Sequence, residues 1–133
     1  MPHITVEYSA NLEPRVELMR LLEVVHAAAL RTGMIEIGGL RTRAERREHY
    51  VVADGDAANA FVAIRARVGA GRDDATRARF AETIFAAVTE FLEPIYRTSP
   101  LAISLDVEEI APVGSLKRNN LHALMKARAN AAA

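Results

Sequence analysis

The 133-residue sequence contains no cysteine. That excludes disulfides, thiolate catalysis and cysteine-based metal sites. It also lacks an excess of charge of either sign, with 17 Lys and Arg against 17 Asp and Glu. A nucleic-acid or membrane-surface footprint needs a clustered basic excess, so neither partner is expected. No apolar run is long enough to span a bilayer. The N-terminus alternates polar and apolar residues and shows no basic region followed by an apolar core, so a cytoplasmic setting is expected. His3, His26, His49 and His122 do not fall in metal-ligand spacing and read as structural or surface residues. Ser9, Ser99, Ser104 and Ser115 have no nucleophile-elbow context. Gly69-Ala70-Gly71 lacks the third glycine and the acidic partner of a dinucleotide fingerprint.

What is present is a chain half apolar in composition, enough for one core, and of a length that fits one domain. Pro2, Ile4, Val6 and Tyr8 alternate with His3, Thr5 and Glu7, the period of a half-buried strand. Asn11 to Pro14 reads as a turn, with Asn11 a helix cap and Pro14 in the first turn of a helix running to Arg31. Leu18, Leu22, Val25 and Ala29 share a face of that helix, and Gly33 ends it. A short strand is expected over Ile37 to Arg43, and Tyr50 to Val52 reads as a hairpin strand. Ala60, Val62, Ile64, Ala66 and Val68 then form a continuous apolar face of another strand. Asp73 and Asp74 cap a second helix, whose core stripe is Ala81, Ile84, Phe85, Val88, Phe91, Leu92 and Ile95, with Pro94 in the last turn. Leu101, Ile103, Leu105 and Val107 alternate in a fourth strand, and a short helix runs from about Asn119 into the terminal alanines up to Ala133. Two β-α-β units, residues 2–45 and 60–110, match at an offset of about sixty residues. Right-handed crossovers place both helices on one face of a four-stranded sheet. The fold class is α+β, and the sheet edges invite oligomerisation.

Three residues carry candidate chemistry. Pro2 has two readings. Proline is tolerated at the first residue of a strand because it cannot donate to the ladder. Alternatively, loss of Met1 leaves Pro2 with a free secondary amine. Burial and nearby cations lower such an amine from its reference value of about 8, toward the neutrality that suits a general base. Arg41 follows Gly38-Gly39-Leu40, and Arg72 follows Gly69-Ala70-Gly71 at a strand-to-helix turn. Each is either a solvated surface arginine or a bidentate holder of a substrate carboxylate, with flanking glycines that admit a ligand close to the backbone. The charged run Ala44 to Glu48 directly follows Arg41 and is placed to tune substrate choice.

Taken in order, MPHITVEYSANL, TGMIEIGGLRTR, VADGDAANAFVAIRARVGAGR and LDVEEIAP with KRNNLHALMK cover nearly the whole chain. Together they resemble the 5-carboxymethyl-2-hydroxymuconate isomerases of the tautomerase superfamily. The resemblance implies a tautomerase-like domain over residues 1–133. It implies an isomerase of homoprotocatechuate breakdown that uses no metal and no organic cofactor. The implied base is Pro2, shuttling a proton along a conjugated dienol to give the 2-oxo isomer. Arg41 and Arg72 are the implied substrate-binding residues, handling the carboxylates and the 2-oxo side, and the implied assembly is a homotrimer. The residue equivalent to Pro2 in the second unit lies near Ala60 or Phe61, inside the chain, so one proline-dependent site per chain is expected.

Two other classes are compatible with the same residues. One is a non-catalytic ligand-binding or regulatory module in which Pro2 only starts a strand. The other is a tautomerase relative with a different reaction, a dehalogenase or decarboxylase, since fold alone does not fix chemistry.

Overall fold

The computed structural model describes residues 1–132. The elements run β1 (His3–Ser9), α1 (Leu18–Arg31), β2 (Arg41–Arg47), β3 (Ala60–Gly69), α2 (Asp74–Tyr96), β4 (Leu101–Ile110) and α3 (Leu121–Ala132). The four strands form one sheet in the order β2-β1-β3-β4. β1 pairs with β2 in parallel, β3 with β4 in parallel, and β1 with β3 antiparallel at the centre. The α+β class, the four-stranded sheet and the short C-terminal helix expected from the sequence are present. Ala133 lies outside the described residues.

The alternation read from the sequence sets the core. Ile4, Val6 and Tyr8 from β1 and Ala60, Val62, Ile64, Ala66 and Val68 from β3 are all buried. They meet Leu21, Val25, Ala28 and Ala29 of α1 and Phe80, Ile84, Val88 and Leu92 of α2. Burial of a large aliphatic side chain such as Ile84 or Leu92 contributes about 1.5–3 kcal/mol. Both stripes are rotated slightly from the expected ones. In α2 the buried line advances by four residues from Phe80, while Ala81, Phe85, Phe91 and Ile95 flank it half-buried. In α1, Leu21 and Ala28 take the centre and Leu18 and Leu22 the margin.

Asp73 caps α2 as expected: its side chain accepts from the Thr76 backbone N–H at 2.8 Å. Gly33 follows α1 with φ +73°, the left-handed conformation that favours glycine. Three boundaries differ from expectation. α1 starts at Leu18, because Ala10–Leu12 forms a 3-10 turn and the Arg15 and Val16 N–H groups bond back to the Leu12 carbonyl. Asn11 caps no helix. Its side-chain amide donates instead to the carbonyls of Ala57 and Asn59. Ile37–Gly39 is a second 3-10 turn, so β2 begins at Arg41 and extends to Arg47. Tyr50 to Val52 is no strand: the Val52 carbonyl accepts from the Asn59 side chain at 2.9 Å, which closes a loop.

The polar face of the sheet carries no helix. Along β2, Arg47 pairs with Glu7 and Glu45, and Arg46 with Glu13 and Glu48. The charged run after Arg41 is thus committed to ion pairs on β2 and its neighbours. Among the described residues, no helix is long and apolar enough to cross a membrane.

Candidate active site

The parallel register of β1 and β2 sets His3 opposite Arg41. One step earlier, the Arg41 N–H donates to the Pro2 carbonyl at 3.2 Å. Pro2 therefore lies at the sheet end where β2 begins, against the Ile37–Gly39 turn. Gly38 and Gly39 of that turn are both buried. A Cβ on Gly39 would stand 3.5 Å from Pro2 Cδ and 3.4 Å from His122 Cε1, so the turn brings the proline ring and the α3 imidazole to one place.

These elements border a cavity of about 450 Å³. Its wall includes Pro2, Gly39, Arg72, Lys117, Asn119 and His122, with Met1 and Met34 beside them. Arg72 comes from the loop after β3, where Gly71 adopts φ +109°. Its guanidinium is held by two backbone carbonyls, donating to Gly69 at 3.0 Å and to Met34 at 2.9 Å. That anchoring fixes a positive charge at the cavity with no carboxylate opposite it. Arg41 is not part of the cavity wall. Its Nη1 donates to the Gly39 carbonyl at 2.8 Å, and its charge reaches the chain's terminal amine through space. Among the described residues, neither Arg41, Arg72 nor Lys117 has a carboxylate at ion-pair distance, in contrast to Arg46, Arg47 and Arg77.

Met1 precedes Pro2 here, so the terminal amine belongs to Met1 and the Pro2 nitrogen is an amide. The Met1 amine lies one residue beyond the Pro2 nitrogen, at the same end of β1. It is held below its ordinary value of 8.0, first by burial, then by Lys117, and then by Arg41 and Arg72. A cation repels the extra proton of an ammonium, and a low-dielectric wall disfavours the charged form. The site thus depresses amine basicity by both routes. His3 is lowered in the same way, by burial first and then by Arg43, Arg41 and Arg67.

The C-terminal segment was not expected at this site. Asn119 Nδ2 donates to the Gly38 carbonyl at 2.8 Å, and its Oδ1 accepts from the Leu121 N–H, starting α3. His122 Nδ1 lies 3.1 Å from a Glu36 carboxylate oxygen. His122 therefore borders the cavity while its side chain stays 41% exposed, a structural placement compatible with the sequence reading but not located by it. The contact spans more than eighty residues, beyond any local pattern. Among the described residues, no three His, Asp or Glu side chains converge as a metal site would require.

Residues 2–125 match the family model described as 5-carboxymethyl-2-hydroxymuconate isomerase. The chain belongs to that family. It is 32% identical over 126 residues to the 5-carboxymethyl-2-hydroxymuconate Delta-isomerase of Escherichia coli, covering 95% of this chain and all of the relative. A crystal structure of a 5-carboxymethyl-2-hydroxymuconate isomerase from Deinococcus radiodurans R1 superposes with a TM-score of 0.85 at 34% identity, covering 93% of each chain. A crystal structure of a 5-carboxymethyl-2-hydroxymuconate delta-isomerase gives a TM-score of 0.87 at 28% identity, over 94% of this chain and 93% of the other. The match takes in the cavity from Pro2 through His122, so every wall residue named above except Met1 falls within the family's extent.

Proposed function

We propose that this protein is a cofactor-independent keto–enol isomerase acting on 5-carboxymethyl-2-hydroxymuconate or a closely similar dienol carboxylate, with Pro2 as its base. One observation carries the reading: Pro2, at the start of β1, borders a cavity of about 450 Å³ beside cations that lack carboxylate partners, and these cations lower the basicity of the adjoining Met1 amine. Membership of the isomerase family supports the substrate class.

The chemistry follows from that placement. With Met1 removed, the Pro2 nitrogen is a secondary amine at the cavity wall. Neutral in the free enzyme, it takes the proton of the 2-hydroxyl. The electron pair moves along the conjugated chain, and a chain carbon receives the proton back from the proline ammonium. Protons and electrons balance within one molecule of substrate, so the reaction needs no co-reactant. Arg72 receives a carboxylate in this reading. Arg41, one layer behind, supports the developing oxyanion side electrostatically. Binding of a polyanion offsets the cations and raises the basicity of the amine, so the base strengthens when the substrate arrives.

The same reading includes the assembly. β2 and β4 are unpaired sheet edges in one chain, and one sheet face bears no helix. A homotrimer that joins edges and covers that face is proposed, each chain being a single tautomerase-like domain of two β-α-β units with one proline site.

Ultraviolet measurement of dienol ketonisation by the purified, methionine-processed protein tests the reading. Saturable turnover of 5-carboxymethyl-2-hydroxymuconate supports it. No rate above the spontaneous reaction, with processing verified by mass, rejects it.

A further inference from the structure

α3 has no buried residue of its own. It is nonetheless seated on the Ile37–Gly39 turn by three local features. A Cβ at Gly38 would come within 2.8 Å of His122 N and Cα, so only the missing side chain admits this close approach. Asn119 ties the segment to the Gly38 carbonyl, and His122 ties it to Glu36. The result is to bring Lys117, four residues before the start of α3, onto the cavity wall. Lys117 has no carboxylate partner among the described residues. It also acts on the terminal amine more strongly than either arginine does.

Charge counting bears on this lysine. A 2-hydroxymuconate carries two carboxylates, and a 5-carboxymethyl group adds a third. Arg72 is the one arginine on the cavity wall, and Arg41 stands behind Gly39. Even with Arg41 counted beside Arg72, two arginines leave at least one carboxylate of such a substrate without a cation.

We propose that the C-terminal segment supplies the third anion site, with Lys117 binding a substrate carboxylate and Asn119 and His122 acting as positioning residues that hold Lys117 in place. This rests on the isomerase reading, and it makes the C-terminal segment the part of the fold that distinguishes a tricarboxylate from a dicarboxylate.

The test compares kcat/KM for 5-carboxymethyl-2-hydroxymuconate and for 2-hydroxymuconate in the full-length protein. The tricarboxylate-to-dicarboxylate ratio of kcat/KM should fall about tenfold in Lys117→Met, the loss of one exposed charge-assisted contact. Asn119→Ala should lower the same ratio by a smaller factor, chiefly through KM. Lys117 is exposed, so Lys117→Met tests the idea without risk to the core. An unchanged ratio in Lys117→Met overturns the proposal, whatever happens to the absolute rates. If the wild type turns over neither dienol, the isomerase reading fails separately, and calorimetric titration decides the anion site. Propane-1,2,3-tricarboxylate should then bind more tightly than glutarate to the wild type and lose that advantage in Lys117→Met. Equal affinities of the wild type for the two probes, or an advantage that survives in the variant, would refute the third site.

Discussion

Replacing Gly38 with alanine should unseat α3 and disable the site while leaving the core folded. The new methyl would stand 2.8 Å from His122 N, Cα and Nδ1. Two of these are backbone atoms and do not swing aside as a flexible side chain would, so one segment must retreat by roughly half an ångström or more to restore normal contact. The Ile37–Gly39 turn is braced by its buried glycines and by Leu40, which is 7% exposed. α3 has no buried residue to resist. The helix should therefore move, stretching the Asn119 bond to Gly38, now 2.8 Å, and the 3.1 Å contact between His122 and Glu36. Overpacking costs typically about 1–3 kcal/mol, and a lost hydrogen bond about 1 kcal/mol more. Much of this can be relieved by detaching α3, so the main unfolding transition should shift only a little. The activity loss should be larger, since misplacing a positioning group by about an ångström can cost on the order of a hundredfold. Hydrogen exchange of the α3 amides, read beside kcat/KM, is the assay. Gly39→Ala is the packing control, because its methyl would meet Pro2 and His122 at 3.5 and 3.4 Å. Unchanged α3 protection and unchanged kcat/KM in Gly38→Ala would refute the idea that this glycine seats the helix.

Other outcomes follow from the same structure. In a pH–rate profile of kcat/KM, the limb reporting the free-enzyme amine should lie below the ordinary α-amino value of 8.0, with activity falling as pH drops through the lowered value. A limb at or above 8 would contradict the cation-ringed amine. Retained Met1 leaves the Pro2 nitrogen an amide, so an unprocessed fraction should be inactive in proportion to its share by mass; full activity in a wholly unprocessed sample would count against the mechanism. Tyr8 donates to a Glu13 carboxylate at 2.7 Å, and burial together with that carboxylate pushes its hydroxyl to about 12. The folded value is raised above 10.0, so this contribution to stability is complete below pH 10 and is lost as pH rises toward 12. Tyr8→Phe should cost about 1 kcal/mol near neutrality and flatten the alkaline fall in unfolding free energy; an unchanged alkaline slope would exclude Tyr8 as its source.

Periodicity made the sheet and helices legible because burial there is set by local spacing. Every residue expected on the apolar faces of β1 and β3, apart from half-buried Pro2, lies in the core. The stripe of α2 was offset because Phe80 and Ala81 both fit a 3.6-residue repeat, and only packing against the sheet chooses the larger side chain. Ile37-Gly38-Gly39 reads as extended from its apolar start. Its 3-10 form is closed by the Gly39 N–H on the Glu36 carbonyl and the Leu40 N–H on the Ile37 carbonyl, bonds that no apolar periodicity announces. Contacts of long sequence separation hid the C-terminal wall. Lys117, Asn119 and His122 look like a charged linker and a helix cap until the fold carries them back to the end of β1. Pro2 stands out in the sequence as the residue behind the initiator methionine at a strand start, and Arg72 for its glycine neighbours at a strand-to-helix turn; both border the cavity. Arg41 stands out for its glycine neighbours too, yet it is not on the cavity wall.

The central claim is that the proline amine is the base. The most direct measurement is kcat/KM for dienol ketonisation by Pro2→Ala beside the wild type, with both shown by mass to have lost Met1. General-base catalysis contributes typically about 10²–10⁴-fold, and the alanine amine is differently substituted and less firmly held. A fall of about a hundredfold or more, in a variant with an unchanged unfolding midpoint, is the predicted result. Activity within about threefold of the wild type would contradict the account.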